Sequence, residues 1–121
     1  MADIKDFIAP INLFACECHR RSRANGWWDG REQTNIGTKL CLIHSEISEA
    51  MEGYRKDLMD DHLPDRKMVE VELADAMIRI GDLAAALNLD LGGAIAAKME
   101  YNASRADHKL AVRNSPGGKK F

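Results

Sequence analysis

Residues 65–87 read DRKMVEVELADAMIRIGDLAAAL, and this stretch decides the fold. Wound at about 100° per residue, it sets Val69, Leu73, Ile80 and Leu87 on one side, Val71, Ala74, Ile78 and Ala85 on another, and Met77 between them. What remains is a narrow band of Glu72, Asp75, Arg79 and Asp82, flanked on both edges by side chains that favour burial. A helix is expected from about Asp65 to Leu87, stopped by Asn88 and packed on more than one side. Carboxylates held between helices need partners. Arg79 is spaced to meet Asp75 four residues before it or Asp82 three after, with Asp82 taken as its partner, yet one cation does not balance three acids. A bound metal ion would resolve the imbalance.

Working outward, Ile36, Leu40, Ile43, Ile47, Met51, Tyr54 and Leu58 recur at helical spacing, predicting a helix from about Thr34 to the Asp60-Asp61 and Pro64 breakers. An earlier helix spans Asp3 to about Arg23, begun or interrupted at Pro10 and ended by Asn25-Gly26. A loop follows it and carries both tryptophans, Trp27 and Trp28. The last helix is expected from about Asp90 through Ile95, Met99, Ala106 and Leu110 to Arg113. No alternating strand pattern, internal repeat or low-complexity tract is present. The expected fold is all-α, a four-helix bundle forming one domain over residues 1–113, with 114–121 as a flexible tail.

Composition narrows the function. The chain has 121 residues, 45% hydrophobic and 30% charged, which suits one domain. Seventeen basic against nineteen acidic residues leave a net charge of −2, giving no case for a nucleic-acid polymer or an anionic membrane as partner. No apolar run approaches the roughly 18 residues a membrane span needs. The N-terminus alternates charge and apolarity (Asp3, Ile4, Lys5, Asp6, Phe7), unlike a secretory leader, so a cytoplasmic protein is expected. Cys16, Cys18 and Cys41 are expected to be reduced thiols. Cys16-x-Cys18-His19 with Cys41 and His44 lacks the paired spacing of a zinc site.

The long middle helix also carries Glu46 and Glu49, three residues apart beside the small Gly53. One such pair alone is ordinary solvated helix surface. Two pairs on neighbouring antiparallel helices can converge, and Glu46, Glu49, Glu72 and Asp75 would then form a cage of hard oxygen ligands suited to Mg²⁺ or Mn²⁺. Lys98, Asn102 and Arg105 stand at i, i+4 and i+7 on the last helix, offering two cations and an amide to phosphate oxygens. His44 precedes Glu46 closely enough to reach a metal-bound water or a phosphate, against an exposed structural role. One tryptophan is expected as an anchor in the core or at a subunit contact, while the face of Trp28 or Trp27 could stack on a nucleobase.

These residues resemble the MazG-like all-α nucleoside triphosphate pyrophosphohydrolases, through His-Ser-Glu-Ile-Ser-Glu-Ala at 44–50, Glu-Leu-Ala-Asp-Ala at 72–76 and the later Lys98, Asn102 and Arg105. The resemblance spans roughly Gly26 to Arg105. It implies an enzyme that cleaves a nucleoside or deoxynucleoside triphosphate between the α and β phosphates, giving a monophosphate and pyrophosphate, with divalent metal obligatory. Metal bridging neutralises the triphosphate and lowers the pKa of an attacking water, so Glu46, Glu49, Glu72 and Asp75 are assigned as ligands, Glu46 or Glu49 also orienting the water. Lys98 and Arg105 would hold the departing pyrophosphate, with a neutral hydrogen bond from Asn102. Two alternatives stand beside this reading: a non-catalytic helical module that binds nucleotide or protein, and a phosphoribosyl-ATP pyrophosphohydrolase. Apolar residues on several helix sides imply a homodimer or homotetramer.

Overall fold

A 3₁₀ turn over Ile4–Phe7, capped by the Asp3 side chain, leads into α1, Ile8–Ala24. Pro10 lies in the first turn of α1, where an amide proton would have no intrahelical acceptor, so it starts the helix and does not interrupt it. Asn25-Gly26 ends α1 as expected: Gly26 adopts φ 84°, and the amides of Gly26 and Trp27 return to the carbonyls of Arg23 and Ser22. The structure is a computed structural model and describes residues 1–30, 35–105 and 109–121. The expected helix start at Thr34, and Ala106 on the last helix, lie outside the described residues.

α2 spans Ile36–Arg55, its N-terminus capped by Asn35, which accepts the amide of Thr38. It stops earlier than the apolar stripe predicts. Asp57 turns left-handed at φ 51°, and Leu58 leaves the helix to accept the amide of Met68 through its carbonyl. The connection is tied further by Asp60, whose carboxylate accepts from the amides of His62 and Leu63. α3, Met68–Ala86, begins a few residues later than expected and is stopped at Asn88, left-handed at φ 55°.

α4 covers Leu91–Ser104 with Asp90 as its side-chain cap, and a short α5 covers Leu110–Arg113. The single helix expected to run on to Arg113 therefore ends at Ser104, where Arg105 is extended and the Ser104 hydroxyl donates to the Tyr101 carbonyl. Beyond α5, the Arg113 guanidinium donates to the Lys119 carbonyl.

The described chain is all-helical, five helices packed together, with one isolated bridge between Met59 and Lys67. α3 is the centre: α1 and α2 both lie against it, and α4 packs on α1 and the N-terminal turn. α2 runs antiparallel to α3, since Gly53 meets Met68 at one end while Glu46 reaches Arg79 further along. The buried apolar positions are mostly small, Ala15, Cys18, Ala50, Ala76, Ala84 and Ala96 with Leu83, so the helices approach closely without interlocking large side chains. At Gly92 an added Cβ would meet the Ile8 backbone, so α4 crosses α1 there only as glycine. No single described helix is long and apolar enough to cross a membrane.

Candidate metal centre and its pocket

Because α1 and α2 both lean on α3, the groove between them has α3 as its floor, and the acidic band of α3 faces into it. Carboxylate oxygens of Glu46, Glu72 and Asp75 lie within 4.8 Å of one another there. Glu46 is buried, its side chain 10% exposed. Glu49, one turn along α2, is exposed, yet its charge bears on Glu72. Two adjacent helices thus bring three of the four expected ligands together, with the fourth at the edge.

Arg79 does not take the expected partner. Its Nε donates to Glu46 Oε1 across the helix pair at 2.8 Å, and neither Asp75 nor Asp82 on its own helix receives it. The reason is reach: Glu46 is the most buried acid of the band's surroundings, and an inter-helix bond neutralises it where solvent does not. Burial pushes the Glu46 carboxyl up, but hydrogen bonding with Glu72 and Arg79 outweighs it and holds Glu46 below the usual range. Glu72 takes the opposite course. Burial, hydrogen bonding with Glu46 and the negative charge of Glu49 push it up to about 8. Asp75 is also raised, by burial and then by the charge of Glu46. Glu72 Oε2 is buried with no hydrogen-bond partner.

A cavity of about 510 Å³ opens from this cluster. α1 contributes Glu17, Cys18 and Arg21, the following loop Trp27, α2 Lys39 and Glu46, and α3 Asp75, Arg79 and Asp82. The Arg20 and Arg21 guanidiniums hold Glu17 down to about 2, so it is a carboxylate at neutral pH. The two tryptophans divide their work. Trp28 is an anchor: its Nε1 donates to Asp82 Oδ1 at 2.9 Å, its ring meets His19 edge-on at 5.3 Å, and Lys39 Nζ sits 3.9 Å from its centre. Trp27 lines the cavity. Asp82 is held by His19 Nδ1 at 2.8 Å as well as by Trp28, so it braces the loop against α3 and is not the expected partner of Arg79.

The remaining expected site residues lie apart from this lining. His44 is exposed on α2. Lys98 and Arg105 flank the Tyr101 ring at 4.8 and 5.4 Å, on a helix that packs against α1. Asn102 is half-buried with its Oδ1 lacking a partner. Sequence reasoning passed over Lys39, although it stands two turns before Glu46 and so on the same face of α2. It also gave His19 no role beyond a discounted zinc site, since nothing local links His19 to Asp82 on another helix. The three thiols are free, Cys18 buried and Cys16 and Cys41 exposed. No protein-family model, no curated protein and no solved structure matches this chain.

Proposed function

We propose that this protein is a divalent-metal-dependent nucleotide pyrophosphohydrolase with a MazG-like bundle architecture, cleaving a nucleoside or deoxynucleoside triphosphate between the α and β phosphates. The observation that carries the reading is Glu72 Oε2, a buried carboxylate oxygen without a hydrogen-bond partner, within a cluster formed with Glu46 and Asp75. Leaving such an atom unpaired is costly, and a hard cation satisfies it together with its neighbours. Oxygen-only donors fit Mg²⁺ or Mn²⁺ better than softer metals.

Glu46, Glu72 and Asp75 would hold the ion, with Glu49 completing the set from the rim and orienting the attacking water. When bound, the metal neutralises phosphate charge and acidifies that water. The adjoining cavity, about 510 Å³, falls in the range for a small ligand, and Trp27 on its wall gives a base a face to stack on. Arg21, Lys39 and Arg79 are the cations on that wall. Lys98, Asn102 and Arg105 are not among the residues lining that cavity. The Arg79–Glu46 bond favours a second reading, a helical binding module whose acids serve only in ion pairs.

Pyrophosphate release measured across the common ribo- and deoxynucleoside triphosphates and phosphoribosyl-ATP, with Mg²⁺ or with chelator, separates these readings. The enzyme reading expects metal-dependent release that falls about 100-fold or more in Glu72→Gln and Asp75→Asn. Release indifferent to both substitutions, or none from any triphosphate, would end it.

A further inference from the structure

Arg79 is tied to the acidic cluster by one atom of its guanidinium. Nε donates to Glu46 Oε1 at 2.8 Å, and among the described residues neither Nη has a hydrogen-bond partner. The side chain is 39% exposed and lines the cavity. A guanidinium fixed at Nε holds the edge formed by its two Nη groups in one direction, and that edge matches two oxygens of one phosphate group. The other cations of the wall are engaged elsewhere: Arg21 Nε donates to Glu17, and Lys39 Nζ donates to the Trp27 carbonyl and lies over the Trp28 ring. Residue order along the helices then says which phosphate group Arg79 meets. Trp28 takes Lys39 from α2 over its ring and donates to Asp82 on α3, so these two residues mark the cavity end where Trp27 lies. Glu46 is seven residues from Lys39, and Asp75 seven from Asp82, on antiparallel helices, so the clustered acids stand about 10 Å from that end along both walls. Arg79 falls between them, about 6 Å past Asp75 along the α3 axis. A nucleotide with its base on Trp27 and its phosphates at the acids brings its α phosphate to Arg79.

We propose that Arg79 clamps the α phosphate of the nucleotide through its two Nη groups, aimed by the bond from Nε to Glu46. The inference rests on the nucleotide reading of this cavity and adds an order within it: the base on Trp27, the α phosphate on Arg79, and the remaining phosphates at the acids beyond. Hydrolysis adds water across the α–β anhydride, so the α group stays on the nucleoside monophosphate and the other two leave as pyrophosphate. Arg79 therefore belongs to the monophosphate, and its loss weakens that product selectively. The residue type supports a clamp over a bare ion pair. A lysine would offset the Glu46 charge equally well, and what arginine adds is the pair of spare donors in a rigid plane.

The test compares the two products by calorimetry in Mg²⁺, titrating AMP, GMP, CMP, UMP and dTMP, and separately inorganic pyrophosphate, into the parent, Arg79→Lys and Arg79→Gln. Arg79→Lys keeps the charge beside Glu46 and loses the fork. The expected result is monophosphate affinity weakened about 10-fold or more in both variants, with pyrophosphate affinity changed less than about threefold. Should neither variant fold, the Arg79 Nη resonances of the unmodified chain decide instead: they must shift with monophosphate and hold still with pyrophosphate. Full rescue by lysine, equal losses for the two products, unchanged affinities, a parent that binds neither product, or Nη signals indifferent to monophosphate overturns the clamp. The hydrolase reading survives any of these while the parent still releases pyrophosphate from a triphosphate in a metal-dependent way. Selective loss of monophosphate in the variants of a parent that releases none ends the hydrolase reading and keeps the clamp.

Discussion

Glu72 concentrates the chemistry of the site in one carboxyl group. Its folded-state value of about 8 stands above the ordinary 4.5, so between those pH values the folded chain binds more protons than the unfolded one. Stability of the metal-free protein should therefore fall as pH rises from about 4.5 to about 8. Glu46 acts in the opposite sense: held below its ordinary 4.5 by Glu72 and Arg79 in spite of burial, it adds stability above that pH and loses it in acid. The two windows do not overlap, so they can be separated. In chelator, melting temperature between pH 5 and pH 8 should drop more steeply in the parent than in Glu72→Gln, where the amide neither titrates nor repels Glu49 and only the raised Asp75 carboxyl of the cluster remains. At pH 8, Mg²⁺ should raise the melting temperature of the parent and have little effect on the variant. Equal pH slopes in the two proteins would place the strained carboxylate elsewhere.

Elements meet through small residues, and one contact is tight enough to predict. α4 touches α1 where Gly92 faces the Ile8 backbone, and Asn12 reinforces the crossing by accepting the Gly92 amide at 2.8 Å and donating to Asp90 at 2.8 Å. Gly92→Ala gains helix propensity, about 1 kcal/mol in a free helix, but its methyl must displace backbone. A net loss of about 1–3 kcal/mol is expected in denaturant unfolding, and a stabilised variant would refute the close crossing. At this scale the sequence was legible where local chemistry acts: Asn25-Gly26 and Asn88 end their helices as predicted because left-handed geometry is a local demand. It was misread where an apolar period ran past the element. Leu58 continues the α2 stripe in register, yet the chain needs its carbonyl for Met68; Leu110 continues the α4 pattern beyond an Arg105 that is already extended. The site shows the same division. Helical spacing was enough to set Glu46, Glu72 and Asp75 on facing stripes. The choice of Glu46 by Arg79, and of His19 and Trp28 by Asp82, depends on which helices flank α3, and no spacing along one helix encodes that.

As a whole molecule, the chain spreads its apolar residues over several helix sides, and the expectation of a homodimer or homotetramer rests on that spread. Its buried positions are mainly alanines, while residues such as Leu13, Tyr54 and Met77 remain more than half exposed. Much of the burial that would offset chain entropy is therefore missing from the single chain, and folding and association should be one process. Melting temperature then depends on protein concentration. A tenfold rise adds about 1.4 kcal/mol to the free energy of separating and unfolding two chains. Spread over an unfolding entropy of about 0.5 kcal/mol/K for the pair, that is about 3 °C per tenfold. Calorimetry or far-UV melts over a hundredfold concentration range should therefore show a rise of about 6 °C, with one cooperative transition throughout. A melting temperature constant over that range would mean that the lone chain is stable with its apolar faces in water, and that the alanine-lined contacts with α3 suffice to hold it.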